Sequence, residues 1–110
     1  MSLIEKLKRA RESTVEVGGF TFTVRRPTDL EMFELRNSLG PRDLLKFVVG
    51  WGGVKESDLF NGGDPHPVAF DQDVCAEWLS DRAELLSTVV AKVRETYYQA
   101  KGKLDDSAKN

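Results

Sequence analysis

Apolar and polar positions follow two different rhythms along the chain. Between Thr14 and Val24 the period is two: Val15, Val17, Phe20, Phe22 and Val24 alternate with Thr14, Glu16, Thr21 and Thr23, around a central Gly18-Gly19. A two-residue turn needs positive φ, which glycine adopts freely, so this stretch predicts a hairpin over residues 14–25. The register follows from the turn. Val17 faces Phe20 and Val15 faces Phe22 on one wholly apolar side, with Val24. Glu16 faces Thr21 and Thr14 faces Thr23 on the polar side. Pro27 ends the second strand. A two-stranded ribbon is not stable alone in water, so helices must cover its apolar face.

Elsewhere the period is helical. Leu3, Ile4, Leu7 and Ala10 predict a short amphipathic helix over about residues 2–11, with Ser2 at its N-cap. Thr28-x-x-Glu31 reads as a capping box opening a helix over about residues 29–38. Met32, Leu35 and Leu39 form its stripe, Leu30 and Phe33 widen it, and Gly40-Pro41 breaks it. Leu44, Leu45, Phe47, Val48 and Val49 read as a short buried helical segment that Gly50 ends. Val54, Leu59 and Phe60 mark a turn packed on the core, and Asn61 to Pro67 reads as a flexible tip.

Asp71 caps the next helix, with Phe70 as a hydrophobic staple toward Cys75 and Val74, Cys75, Trp78 and Leu79 on the buried face. Asp81-x-x-Glu84 resembles a second cap. Beyond it runs the longest helix, over about residues 82–101, with Leu85, Leu86, Val89, Val90, Val93 and Tyr97 facing inward. Lys101-Gly102 is a stop signal, leaving residues 103–110 as a frayed polar tail. The predicted fold is α+β and mainly α: one domain over residues 1–110, with an N-terminal β-hairpin packed on a small bundle of four or five helices. The helical part spans residues 28–101. Residues 1–12 either cap the core or form a mobile helical arm.

Composition narrows the chemistry. The 110 residues suit one core, and 40% hydrophobic with 31% charged residues is globular composition. No apolar run approaches the ~20 residues a membrane span needs, and the N-terminus carries no secretory pattern. With one Cys and one His, an internal disulfide and most hydrolase or metal constellations are excluded, and an intracellular setting is expected. Charge is polarised. Residues 1–55 hold ten Lys and Arg against seven Asp and Glu, whereas residues 56–110 hold six against eleven. That distribution does not provide the concentrated basic face that nucleic acid requires, and it can orient partners or copies head to tail.

Each candidate reactive group has an ordinary alternative. Cys75 sits on an apolar helix stripe that disfavours its thiolate, and His66 lies between two prolines. Asp71 and Asp73 with Glu77 suit a helix start better than a cation site. Gly50-Trp51-Gly52-Gly53 lacks the spacing of a phosphate loop, and Trp51 and Trp78 read as core anchors. These residues point to a non-enzymatic binding or assembly protein with no cofactor, no metal, and no nucleic-acid or membrane partner.

Three segments carry a family likeness. They are Phe20-Thr21-Phe22-Thr23-Val24-Arg25-Arg26-Pro27-Thr28-Asp29; then Val48-Val49-Gly50-Trp51-Gly52-Gly53-Val54; then Pro67-Val68-Ala69-Phe70-Asp71 leading into Trp78-Leu79-Ser80-Asp81, the helix with Tyr97 and the Lys109-Asn110 end. In their order and spacing the chain resembles the small tail assembly chaperones of long-tailed bacteriophages, over about residues 20–110. The resemblance implies binding of the long helical tape measure protein while tail tube protein polymerises around it. It also implies action in the cytoplasm of the bacterial host and absence from the mature virion. In that family slippage near the gene's end yields an extended fusion, and Ala108-Lys109-Asn110 can be encoded by a slippery A-rich run.

Partner contacts are expected on Leu3, Ile4 and Leu7 and on Trp51, Leu59 and Phe60. That all six are ordinary core side chains stands equally open, as does a homo-oligomer. Two other functions compete: a tail terminator or head–tail connector that stays in the virion, and a host adaptor domain that binds an amphipathic helix.

Overall fold

The computed structural model describes residues 1–36 and 40–109, with side chains described as far as Gly102. The element order is α1 (Leu3–Ala10), β1 (Glu12–Val17), β2 (Phe20–Arg25), α2 (Asp29–Leu35), α3 (Pro41–Leu45), β3 (Val48–Gly52), α4 (Glu56–Leu59), α5 (Gln72–Ser80) and α6 (Ala83–Lys109). The fold is α+β and mainly α, with the hairpin at the N-terminal side, as the patterning predicts.

The hairpin has the expected register throughout: Val17 opposite Phe20, Glu16 opposite Thr21, Val15 opposite Phe22 and Thr14 opposite Thr23. Gly18 and Gly19 turn it with φ of 61° and 86°, a region where a Cβ would clash with the backbone. Pairing extends to Glu12 opposite Arg25, so the strand begins two residues before the predicted Thr14.

The ribbon gains a third strand that the sequence reading took for helix. α3 stops at Leu45, and Val48–Gly52 pairs antiparallel with β2, giving the order β1-β2-β3. Thr23 faces Gly50 while Val24 faces Val48, so Val49 is an extra residue in a bulge. The physical reason is edge satisfaction. Without β3, the second side of β2 would present unpaired backbone groups beside the core, and two β-branched valines fit a pleated surface better than a helix.

One core lies under the sheet. Val17, Phe22, Val24 and Val48 pack with Leu35, Leu44, Leu45 and Phe47, with Cys75, Trp78 and Leu79 of α5, and with Leu85, Val89, Val90 and Val93 of α6. α6 lies against α3, α5 and β1. Phe20 meets Trp78 edge-on at 5.1 Å between ring centroids, Trp51 meets Trp78 at 5.9 Å, and Phe70 meets Trp51 at 5.2 Å. Such T-shaped contacts align ring edges with facing π-clouds and add to the burial of the rings. Trp78 is part of the core, and Trp51, partly buried, packs against it.

The caps tie helices to the sheet. The Thr28 hydroxyl accepts the Glu31 amide at 3.1 Å and Glu31 Oε1 accepts the Thr28 amide at 3.0 Å, so the capping box is complete. The same carboxylate receives Arg25 in a two-pronged pair at 2.9 and 3.1 Å, joining β2 to α2. Asp71 Oδ1 accepts the Asp73 and Val74 amides, as predicted. Asp29 accepts the Tyr97 hydroxyl and the Lys101 ammonium, each at 2.8 Å, which links the start of α2 to α6. The Lys101 bond, then the Tyr97 bond, lowers the Asp29 pKa, and the bond to Asp29 raises that of Tyr97.

Asp81 does not open α6 in a box with Glu84. It is the C-cap of α5, its amide donating to Trp78 and Leu79 carbonyls, and α6 begins at Ala83. Gly102 does not stop α6, which continues to Lys109. One glycine costs about 1 kcal/mol in a helix and does not break it without a following proline. α2 ends at Leu35, and the predicted positions 38 and Leu39 lie outside the described residues. Leu30 and Phe33 do not widen its buried stripe; both are exposed. α2 buries only Leu35, and at about 100° per residue these two fall away from it.

The tip from Asn61 to Pro67 is pinned rather than loose. The Glu56 amide donates to His66 O, Ser57 to Asp64 O and Val68 to Val54 O. Lys55 and Pro67 form an isolated bridge. Trp51 Nε1 donates to Val68 O at 2.8 Å. These bonds turn a Gly/Pro-rich loop into a compact strap beside β3.

Candidate functional site

α1 forms because Ser2 Oγ accepts the Glu5 amide at 3.1 Å, Glu5 lies in its first turn, and Lys8 and Arg9 lie in its last. Its root is fixed where the Arg26 amide donates to Arg11 O at 2.8 Å. Beyond that point the helix buries nothing: Leu3 is 72% exposed, Ile4 66% and Leu7 51%. Eight residues make a helix about 12 Å long, too short to be stable by itself in water. The alternative in which these three side chains close the domain's own core is therefore not what the structure contains.

The middle candidates divide. Trp51 and Leu59 pack against the core, whereas Phe60 at the end of α4 is 55% exposed. Phe60 borders a cleft of about 880 Å³ between the α4 end and α5. Leu59, Phe60, Val74 and Trp78 supply its apolar lining, with Asp58, Glu77 and Asp81 as acidic members and Arg82 as the basic one. Arg82 stands over the Trp78 ring at 5.9 Å.

Val74 was expected on the buried face of α5, yet it is partly exposed in this cleft. It precedes Cys75 by one position, and a 100° step carries it off the Cys75–Leu79 face. That offset was readable from the sequence; the cleft itself was not, because α4 and α5 meet only in the folded chain. Leu30 and Phe33 form a second apolar patch on α2, where Arg36 stacks over Phe33 at 5.6 Å.

The reactive candidates are not brought together as a site. Cys75 is buried, and burial pushes its thiol up to about 11, so at neutral pH it stays protonated and a poor nucleophile. The His66 carbonyl is held by the Glu56 amide. Among the described residues no group of three or more His, Cys, Asp and Glu side chains is placed to hold a metal ion. No helix among them is long and apolar enough to cross a membrane. The Trp78 indole N–H is buried without a hydrogen-bond partner.

These features define a small α+β domain whose distinguishing surfaces are an exposed amphipathic helix and an apolar cleft bordered by three carboxylates and Arg82. No protein-family model, no curated protein and no solved structure matches the chain.

Proposed function

We propose that this protein is a non-enzymatic tail assembly chaperone that holds a phage tape measure protein during tail morphogenesis. The observation that carries this reading is the bare apolar face of α1, with Leu3, Ile4 and Leu7 each more than half exposed. A chaperone that shields a long helix-rich chain needs apolar surface not already spent on its own interior. A two-turn amphipathic helix supplies it in the form that pairs with another helix or fills a groove.

The magnitudes suit reversible binding. Full burial of a Leu or Ile is worth about 1.5–3 kcal/mol, so covering the exposed parts of these three side chains gains about 3–6 kcal/mol. Association costs of at least about 4 kcal/mol consume much of that gain. One copy therefore binds weakly, and covering a long chain takes many copies. Weak individual contacts let the tube protein displace the chaperone in turn.

The test is co-expression with a phage tape measure protein, with and without residues 1–11. The full chain is expected to keep that protein soluble. The truncated chain is expected to fold normally, because α1 buries no residue, and to lose the binding. A full chain that leaves the long protein insoluble refutes the proposal, as does a truncated chain that rescues it equally well. Protein analysis of purified phage separates this role from that of a tail terminator or connector, which would remain in the particle.

A further inference from the structure

The arm and the cleft occupy opposite ends of β1. α1 passes through Arg11 directly into Glu12, the first residue of β1, with no linker between them. The other end of β1 is the Gly18-Gly19 turn. There Glu16, Val17 and Gly18 line a depression together with Asp81, Arg82 and Glu84, and Asp81 and Arg82 also line the α4–α5 cleft. Six strand residues span about 20 Å. A 12 Å helix folded back along β1 is shorter than that strand, which favours the cleft of a second copy over that of its own chain.

The two surfaces nevertheless match. At about 100° per residue, Ala10, Leu3, Leu7 and Ile4 cover an arc of about 120°, and Lys6 and Lys8 lie about 40° outside its two edges. The arm therefore presents an apolar ridge with a cation on each side. The cleft presents an apolar lining of Phe60, Val74 and Trp78 with three carboxylates to one cation: Asp58, which also accepts the Lys55 amide, on the α4 side, Glu77 and Asp81 on the α5 side, and Arg82 over the Trp78 ring. Its volume of about 880 Å³ is within the range of about 300–1,000 Å³ that binds compact apolar ligands.

We infer that α1 of one copy seats its Leu3–Leu7 ridge in the α4–α5 cleft of a second copy, with Lys6 and Lys8 against the acidic walls. Arm and cleft are different patches, so the contact is head to tail. It continues into a ring or an open row unless two copies exchange arms reciprocally. This pairing is independent of the chaperone reading, although it would keep both apolar surfaces covered until a partner displaces the arm.

The test is sedimentation equilibrium of the full chain over a wide concentration range. The average mass is expected to rise above the 12.4 kDa of one chain and to fall back with added salt, which screens exposed charges. Two charge-reversed variants follow, Lys6→Glu/Lys8→Glu in the arm and Glu77→Lys/Asp81→Lys in the cleft. All four positions are exposed, and unchanged circular dichroism and melting will verify folding. Each variant alone is expected to associate at least about tenfold more weakly, and an equimolar mixture is expected to re-associate, because the reversed arm meets the reversed cleft. Leu3→Ser/Leu7→Ser is expected to remain monomeric. The inference is overturned by a monomeric wild type, whether its arm rests on α2 or binds anionic vesicles. It is equally overturned by variants that associate like the wild type, or by a mixture that stays monomeric.

Discussion

Glu31 offers the sharpest test of how the sheet and helices are joined. Its carboxylate accepts two guanidinium N–H groups from Arg25 and the Thr28 amide. The Arg25 bonds are the chief reason its pKa falls from 4.5 to about 2. Because the folded-state pKa lies below the unfolded one, the ionised carboxylate stabilises the fold above about pH 4.5, and that contribution is lost as pH falls toward 2. At about 1.4 kcal/mol per pH unit, the difference sets a ceiling of about 3 kcal/mol. Both side chains remain about a quarter open to solvent, which reduces the expected contribution to about 1–2 kcal/mol. Arg25 keeps a second anchor, its guanidinium lying 5.0 Å from the Phe47 ring centroid, so losing the carboxylate leaves it stacked rather than stranded.

Glu31→Gln is therefore expected to lower stability at pH 7 by about 1–2 kcal/mol, or about 4–15 °C in Tm for a domain of this size. Urea denaturation of both proteins at pH 7 and near pH 2.5 is the assay. The difference should shrink to less than half at the acid pH, where wild-type Glu31 has begun to lose its charge. An equal difference at both pH values would refute the electrostatic reasoning and leave only the shape of the side chain.

Three further outcomes follow from local geometry. Gly63→Ala places a Cβ 2.6 Å from the Glu56 carbonyl oxygen; the strap must shift, at a cost of about 1–3 kcal/mol measured by thermal melting. Cys75 is expected to react with a thiol reagent at pH 8 only as fast as the chain opens, since burial holds the thiol near 11; rapid stoichiometric labelling of the native protein would contradict its placement. Asp71→Ala removes the acceptor for two amides of α5 and should cost about 0.5–2 kcal/mol in urea unfolding.

The hairpin was readable because two independent signals agreed. Period-two alternation and a Gly-Gly turn each set the register, and a one-residue slip would have turned Phe22 and Val24 toward solvent. The caps at Thr28 and Asp71 were readable because each is completed within three residues. β3 was hidden for reasons of the opposite kind. Its partner β2 lies more than twenty residues away, Gly50 and Gly52 carry no side chain to mark a face, and the bulge at Val49 breaks the alternation. Leu44 and Leu45 of α3 run into Val48 and Val49 with little polar interruption, so a helix and a strand read as one apolar segment. The pinned strap escaped notice similarly. Asn61 to Pro67 has loop composition, but its backbone groups find partners on Val54 to Ser57 that composition does not reveal.

The same distinction governs the candidate surfaces. The pattern Leu3, Ile4, Leu7, Ala10 establishes that α1 is amphipathic, and its exposure depends on how much sheet the other helices cover. α3, α5 and α6 already cover the apolar side of the ribbon, leaving α1 no face to dock on. Leu59 and Phe60 illustrate the point at single-residue scale. They are adjacent apolar residues at the end of a four-residue helix, which turns Leu59 toward the core and leaves Phe60 at the cleft margin. A local pattern specifies which side chains need cover; the folded chain specifies which of them receive it, and those left bare are where another polypeptide gains most by binding.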